Sequence, residues 1–148
     1  MKYMVIIEKV SAYGHENILC THSTTIEITK EKSLTKKGNC IIGINASKAC
    51  FDLNDNLKKK IKDGSRIKIT LKLENLQDSF FGFGNKDLRL MDRNDMVFRK
   101  SNFICDRTVL INCTKSSEDI NHELIEKLKI AGKKLSIIFE INERNEKP

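Results

Sequence analysis

A strict alternation of residue types between Ile67 and Leu73 constrains this chain more than any other pattern. Ile and Leu occupy every second position, and Lys and Thr fill the positions between them. A period of two residues is typical of a β-strand with one buried and one solvated face. Such a strand must bury its apolar face against another layer, so the segment predicts a sheet packed on further structure.

Similar strand signals recur along the chain, at residues 4–7, 25–29, 40–44, 79–83, 95–98, 109–113 and 135–141. The segment Cys40–Ile44 is apolar on both faces and predicts an interior strand. Two helices are predicted as well. The first covers about 53–62, with Asp52 or Asn54 as its cap and Gly64 as its stop. The second covers about 118–131, with a start that resembles a capping box at Ser116 and Asp119.

These elements predict an α+β fold of about seven strands, mostly antiparallel, with two helices. The sheet either packs against the helices or curls into a partly closed barrel. The only proline is the last residue, and no linker, internal repeat or low-complexity tract is evident. We therefore expect a single domain over residues 1–148.

The five cysteines predict reduced thiols in a cytoplasmic protein. Their number is odd and no C-x-x-C motif occurs, so neither a disulfide framework nor a standard zinc site is indicated, and no cofactor is predicted. A membrane span needs about 20 consecutive apolar residues, and no stretch approaches that length.

The formal net charge of +7 favours a polyanionic or phosphate-bearing partner. A solvated, lysine-rich surface would explain the same excess without any partner. Recognition of single-stranded RNA also calls for exposed aromatic rings, whereas aromatic residues make up only 6% of the chain. Five phenylalanines lie near one another in sequence and are expected in the core: Phe80, Phe81, Phe83, Phe98 and Phe103.

The segment from Arg99 to Thr108 is the strongest candidate for a ligand site. Arginine offers a planar fork of donors that matches phosphate or carboxylate, and lysine adds a point charge. The predicted ligand-binding residues are Lys48, Arg99, Lys100, Ser101, Arg107 and Thr108. The structural alternative is a network of ion pairs that ties this segment to a neighbouring strand.

A second polar group near the N-terminus contains His15, His22 and Glu27. A histidine with a pKa near neutrality suits general acid–base work, and these three residues are the catalytic candidates if the protein is an enzyme. His22 and Glu27 are five residues apart, so on one extended strand they would face opposite sides. The structural alternative, surface or turn histidines, is favoured over a metal site.

Several short motifs resemble a known family: Gly14-His15-x-Asn17, Thr21-His22-x-x-Thr25-x-Glu27, residues 34–43, Arg99-Lys100-Ser101-x-Phe103 and Arg107-Thr108. Together they are similar to a widespread archaeal family of small proteins described as a domain of unknown function. The resemblance covers about residues 10–130 and implies an archaeal cytoplasmic protein. It carries over no activity, and Asn39 departs from the aspartate expected there.

Two hypotheses follow. The first is a binding protein for RNA, the favoured ligand, or for another phosphate-bearing molecule, with contacts from the basic cluster. The second is a small enzyme acting on a phosphorylated or carboxylated metabolite, with the His/Glu group moving protons. The enzyme hypothesis requires that both polar groups meet in one concave pocket, whereas the binding hypothesis needs only a basic surface.

Overall fold

A computed structural model of the chain describes residues 2–144, and over these residues it contains eight strands in two sheets. In chain order the strands are β1 (Lys2–Tyr13), β2 (Thr25–Thr29), β3 (Ile41–Gly43), β4 (Arg66–Leu73), β5 (Leu76–Phe83), β6 (Asp95–Arg99), β7 (Thr108–Leu110) and β8 (Lys134–Arg144). The larger sheet has the order β1-β8-β4-β5 and is antiparallel throughout. The smaller sheet has the order β3-β2-β6-β7, with a central antiparallel pair and two outer parallel pairs.

Two α-helices accompany the sheets, α1 (Asp55–Lys62) and α2 (His122–Leu128). A short 3₁₀ turn precedes each of them, at Cys50–Asp52 and Ser117–Asp119. The side chains of Asn54 and Asn121 cap the two α-helices by accepting hydrogen bonds from backbone amides three residues on.

The α+β class and the mainly antiparallel pairing are confirmed, and three details differ from expectation. There are eight strands rather than about seven over residues 2–144, and neither described sheet closes into a barrel. The second helix begins at His122, because Ser116 and Asp119 form the capping box of the 3₁₀ turn and not of α2. Gly64 ends the first helix as expected, with a φ of +80°.

The prediction of an interior strand at Cys40–Ile44 is wrong, because β3 is an edge strand of the smaller sheet. Its burial has another cause. The backbone of Ile44 exchanges two hydrogen bonds with Tyr13 at the end of β1, with N···O distances of 2.8 and 2.9 Å. This bridge joins the edge of the smaller sheet to β1, the edge strand of the larger sheet, and so covers the end of β3.

One hydrophobic core lies between the two sheets and the helices. It includes the inward residues of β4 and β8, Leu57 and Ile61 of α1, and Leu124 and Leu128 of α2. Phe98 of the smaller sheet packs edge-on against Phe80 of the larger one, with ring centroids 5.5 Å apart. Since the inner faces of both sheets are apolar, polar chemistry is confined to their outer faces and to the loops.

The architecture repeats itself, contrary to the expectation from the sequence. The N-terminal half (residues 2–73) runs β1-β2-β3-α1-β4, and the C-terminal half (residues 76–144) runs β5-β6-β7-α2-β8. Exchanging the halves reverses the strand order of each sheet and leaves it otherwise unchanged. The bridge between Tyr13 and Ile44 has its counterpart between Phe83 and Ile111.

Backbone conformation confirms this equivalence residue by residue. Asn45 and Asn112 adopt positive φ values of 51° and 50°, and Cys20 and Leu90 adopt values of 53° and 56°. Non-glycine residues rarely occupy this left-handed region, so the matched pairs mark the same turns in both halves.

Candidate functional site

The outer face of the smaller sheet carries a group of polar side chains. In the central pair, Thr25 lies opposite Arg99, Glu27 opposite Val97, and Thr29 opposite Asp95. Their alternating neighbours on β2 and β6 point into the core. Three of these residues, Glu27, Asp95 and Arg99, are joined by Cys40, which precedes β3, and by three residues of β7 and the loop before it. We call this group the polar cluster: Glu27, Cys40, Asp95, Arg99, Cys105, Arg107 and Thr108.

Arg107 lies between two carboxylates of the polar cluster. Its Nη1 is 3.5 Å from Glu27 Oε1 and 3.2 Å from Asp95 Oδ2. Burial, together with the negative charge of Asp95, raises the pKa of Glu27, and the attraction of Arg107 only partly opposes this. The charge of Arg107 is therefore already offset by neighbouring carboxylates.

Arg99 makes a different set of contacts. Its Nε donates to Thr108 Oγ1 at 2.8 Å, and its Nη2 lies 3.4 Å from the Cys105 sulfur. The guanidinium carbon is 4.9 Å from the centre of the exposed Phe103 ring. Burial opposes ionisation of Cys105, but hydrogen bonds from Thr108, the Arg107 amide and Arg99 lower the pKa of its thiol to about 7.

Lys48 and Lys100 do not join the polar cluster. Lys48 pairs with Glu8 at 2.9 Å, and Lys100 pairs with Asp119 at 3.1 Å. Each pair has a counterpart in the other half of the repeat. Lys115 with Asp78 corresponds to the first pair, and Lys30 with Asp52 corresponds to the second.

These lysine pairs thus belong to the repeated framework. Ser101, the remaining predicted ligand-binding residue, accepts a hydrogen bond from the backbone amide of Phe103 at 3.3 Å and shapes its own turn.

The predicted catalytic residues do not all meet. Glu27 is part of the polar cluster, whereas His15 lies in a turn where its Nδ1 accepts from the Asn17 amide at 3.0 Å. In the other half, the side-chain oxygen of Asn85 accepts the equivalent hydrogen bond from the Asp87 amide at 2.8 Å. A residue that does not ionise thus replaces His15 at the equivalent position.

His22 has a corresponding role in the next turn. Its Nδ1 accepts from the amides of Thr24 and Thr25, each at 3.1 Å, and lies 3.0 Å from the Thr25 hydroxyl. Asp92 is its counterpart and accepts from the two equivalent amides at 2.8 and 2.7 Å. His22 therefore contacts the border of the polar cluster only through Thr25.

A second candidate surface lies on the outer face of the larger sheet. A concavity of about 460 Å³ is lined by Met4, Lys60, Ser65, Arg66, Lys68, Phe81, Ile141 and Asn142. The guanidinium carbon of Arg66 is 3.8 Å from the centre of the Phe81 ring. We call this the sheet-face pocket.

The charge of this outer face is strongly one-sided. Over the described residues, its outward strand positions carry Lys9, Arg66, Lys68, Lys72 and Lys134, but a single carboxylate, Glu140. Glu140 accepts a hydrogen bond from the Thr70 hydroxyl at 2.8 Å. Among residues 2–144, no carboxylate lines the sheet-face pocket itself.

Sequence analysis missed the sheet-face pocket, although part of its signal was visible. The alternation along β4 places Arg66 and Lys68 on one solvated face, but it does not show that Phe81 lies directly opposite Lys68. The expectation that five phenylalanines form core was also too broad. Phe80 and Phe98 are buried, but Phe83 and Phe103 are 37% and 57% exposed.

A family model described as a domain of unknown function, DUF371, matches residues 10–142. The chain belongs to the DUF371 family. A relative from the archaeon Methanocaldococcus jannaschii, named uncharacterized protein MJ0206, is 48% identical over 132 residues, which cover 89% of this chain and 96% of the relative. The match confirms the resemblance found in the sequence.

Two further features of the DUF371 protein bear on its site. Within residues 2–144, no cluster of three or more His, Cys, Asp or Glu side chains is arranged to hold a metal ion. The described helices are all too short or too polar to cross a membrane.

Proposed function

We propose that this DUF371 protein binds a phosphate-bearing ligand, with RNA favoured, at the sheet-face pocket. One observation carries the proposal. Lys60, Arg66 and Lys68 line a concavity together with Phe81, and no carboxylate among residues 2–144 lines it. Cations without carboxylate partners remain free to bind phosphate, and an aromatic ring between them suits a nucleobase.

The charge state of the polar cluster supports placing the ligand elsewhere than at residues 99–108. Arg107 faces two carboxylates, and Lys100 is paired with Asp119. A phosphate arriving there would have to compete with these anions, and the gain in attraction would be small. Over the described residues, none of the three cations of the sheet-face pocket forms an ion pair. Glu140 lies opposite Lys68 on the neighbouring strand but accepts its hydrogen bond from Thr70.

The pocket also offers a surface for stacking. Arg66 already covers one part of the Phe81 ring, so a base would stack on the outer plane of the guanidinium as well as on the free part of the ring. Lys60, near the C-terminal end of α1, and Lys68 flank this platform and would contact the phosphates on either side.

The test is binding of labelled single-stranded RNA and DNA across a salt series. We expect salt-dependent binding that weakens in Arg66→Ala and Lys68→Ala, with the slope of log K against log salt falling by about 0.7 for each phosphate contact removed. Lys72→Ala is the matched control, because Lys72 lies on the same face of the same strand outside the pocket.

Arg99→Ala and Arg107→Ala complete the set. If binding is lost in these variants but kept in Arg66→Ala and Lys68→Ala, the ligand lies at the polar cluster and our placement is wrong. If wild-type protein binds neither nucleic acid at low salt, RNA is excluded. A titration with small phosphorylated compounds then decides whether any phosphate-bearing ligand binds.

A further inference from the structure

We propose that Cys105 is a reactive nucleophile that takes small anionic electrophiles, with the guanidinium groups of Arg99 and Arg107 beside its sulfur. The ligand class is a compound that carries a carboxylate or phosphate next to an electrophilic carbon. This site is separate from the sheet-face pocket, and it does not depend on RNA binding.

The first support is the pairing of Arg99. Over the described residues it forms no ion pair with a carboxylate, unlike Arg107 with its two carboxylate partners. Its Nη2 donates a hydrogen bond to the Cys105 sulfur at 3.4 Å. A thiolate at that position would balance the charge of Arg99, so the arrangement favours the ionised form of the thiol.

The second support is the rigid turn that holds the sulfur. The Thr108 hydroxyl oxygen accepts from the Cys105 amide at 3.2 Å and from Arg99 Nε at 2.8 Å, and it lies 3.6 Å from the sulfur. Thr108 is fully buried, so its hydroxyl has a fixed position. The nucleophile is therefore oriented before any ligand arrives.

Arg107 adds a second cation to the same place. Burial disfavours its charge, but Glu27, Asp95 and a hydrogen bond to Cys105 raise the pKa of Arg107 above its ordinary value. Its side chain is 42% exposed, so it can reach an incoming anion from the solvent side. Because Glu27 and Asp95 offset the charge of Arg107, Arg99 supplies the attraction for an anionic reagent, and Arg107 adds N–H donors that can hold it.

The internal repeat shows that the fold does not require these groups. The hydrogen bond from the Thr108 amide to the Cys105 carbonyl, at 3.0 Å, has a counterpart from Ile41 to Gly38 at 3.1 Å. By the same equivalence, Thr29 stands where the other half has Arg99. A glycine, an isoleucine and a threonine thus form the same turn and strand end without any of this chemistry.

The other thiols are poorer nucleophiles. Cys20, Cys50 and Cys113 are at most 5% exposed, and burial raises the pKa of each of them. Cys40 is partly exposed, but burial and the nearby Glu27 carboxylate raise the pKa of its thiol as well. Cys105 should therefore react first.

The chemical step is a simple displacement. The sulfur anion attacks the electrophilic carbon, a sulfur–carbon bond forms, and the leaving group departs with the bonding electron pair. Because the thiolate carries no proton, no base is required, and the guanidinium groups hold the anionic part of the reagent near the sulfur.

Alkylation by iodoacetate, compared with neutral iodoacetamide, tests the proposal, with modified cysteines mapped by peptide mass spectrometry. We expect Cys105 to be the first cysteine alkylated. The ratio of its rate with iodoacetate to its rate with iodoacetamide should exceed the same ratio for glutathione by about tenfold, the effect that one charge-assisted hydrogen bond to the reagent would produce. The rate should rise with pH around the thiol pKa of about 7.

Variants separate this role from a structural one. Arg99→Ala should slow iodoacetate more than iodoacetamide and move the pH profile upward, whereas Arg99→Lys should restore part of the preference because it keeps a charge. Cys20→Ala is the control, because Cys20 is buried outside the polar cluster, and it should react as wild type does. Circular dichroism of each variant verifies that it is folded.

Two results would overturn the proposal. One is fast labelling that persists in Cys105→Ser. The other is a wild-type preference for iodoacetate no greater than that of glutathione, which would show that the two arginines do not guide anions to the sulfur.

Discussion

The N-terminal and C-terminal halves agree in their framework and differ on one face of the smaller sheet. Lys48 and Lys115 each pair with a carboxylate on the first strand of their own half, and Asn54 and Asn121 cap the equivalent helices. On the outer face of β2 and β6, by contrast, Glu27 stands where the other half has Val97.

Because both halves form the same strands and turns, each serves as an internal control for the other. A polar contact present twice is part of the framework, since the fold uses it wherever that turn or helix occurs. A polar group present once, opposite an apolar or small residue, is not needed by the architecture. By this criterion the histidine turns are structural, and the polar cluster is a candidate site.

The largest effect should come from a contact that both halves share. A Cβ at Gly84 would overlap the carbonyl of Ile61 at the end of α1, and one at Gly14 would overlap that of Leu128 at the end of α2. Backbone cannot move aside as a side chain can, so Gly14→Ala and Gly84→Ala should each lower the free energy of unfolding by about 3 kcal/mol. Chemical denaturation measures it.

Gly132→Ala is the control for this pair. Gly132 has a positive φ of +83°, but a Cβ at this residue would meet no other atom within 4 Å, so only backbone strain remains, about 1 kcal/mol. If either Gly14→Ala or Gly84→Ala costs no more than this control, the two helix ends are not equivalent in packing.

The second prediction concerns the group in which the halves differ. Burial raises the pKa of Glu27 above its unfolded value of about 4.5, so the folded state binds this proton more tightly than the unfolded state. The stability that Glu27 contributes is present below pH 4.5 and is lost as pH rises through the folded pKa.

Glu27→Gln removes this titration and keeps the shape of the side chain. Its stability relative to wild type should therefore increase from pH 4.5 upward, by on the order of 1 kcal/mol, a common size for one substitution. Denaturation at a series of pH values measures the difference. A difference that stays constant with pH would mean that Glu27 titrates as an ordinary exposed carboxylate.

The smallest effect should come from exchanging equivalent turn residues. His22→Asp places in one half the residue that the other half uses, and its carboxylate can accept from the same two amides. We expect a stability within about 0.5 kcal/mol of wild type, whereas His22→Ala should cost about 1 kcal/mol because both acceptor bonds are lost. Thermal unfolding compares the two. A large loss in His22→Asp would show that the turns differ.

Most strands were predictable from the sequence because alternation is a local signal. The alternation of apolar and polar residues along β4 and the cap at Asn54 each depend on residues within a few positions of one another. The length of α2 was not predictable, since Ser116 and Asp119 offered a convincing start that the structure uses for a 3₁₀ turn.

The composition of the candidate site was only partly predictable. Arg99, Arg107 and Thr108 stood out as a local cluster, but the contact of Arg107 with Glu27 joins residues 80 positions apart. Local patterns contain no information about such register. Most of the repeat was hidden because equivalent turns use different residues, such as His22 and Asp92, to accept the same bonds. One signal was visible, since residues 44–48 and 111–115 share the pattern Ile-Asn-x-Ser/Thr-Lys.

The alternation of halves across the larger sheet has a consequence for how the chain assembles. In its order β1-β8-β4-β5, each strand is hydrogen-bonded only to strands of the other half, so all three strand pairs join the two halves. A polypeptide of half this length would have no complete ladder in that sheet. It would fold only by combining with a second copy, and the short connection at Glu74-Asn75 is what makes the two partners one molecule.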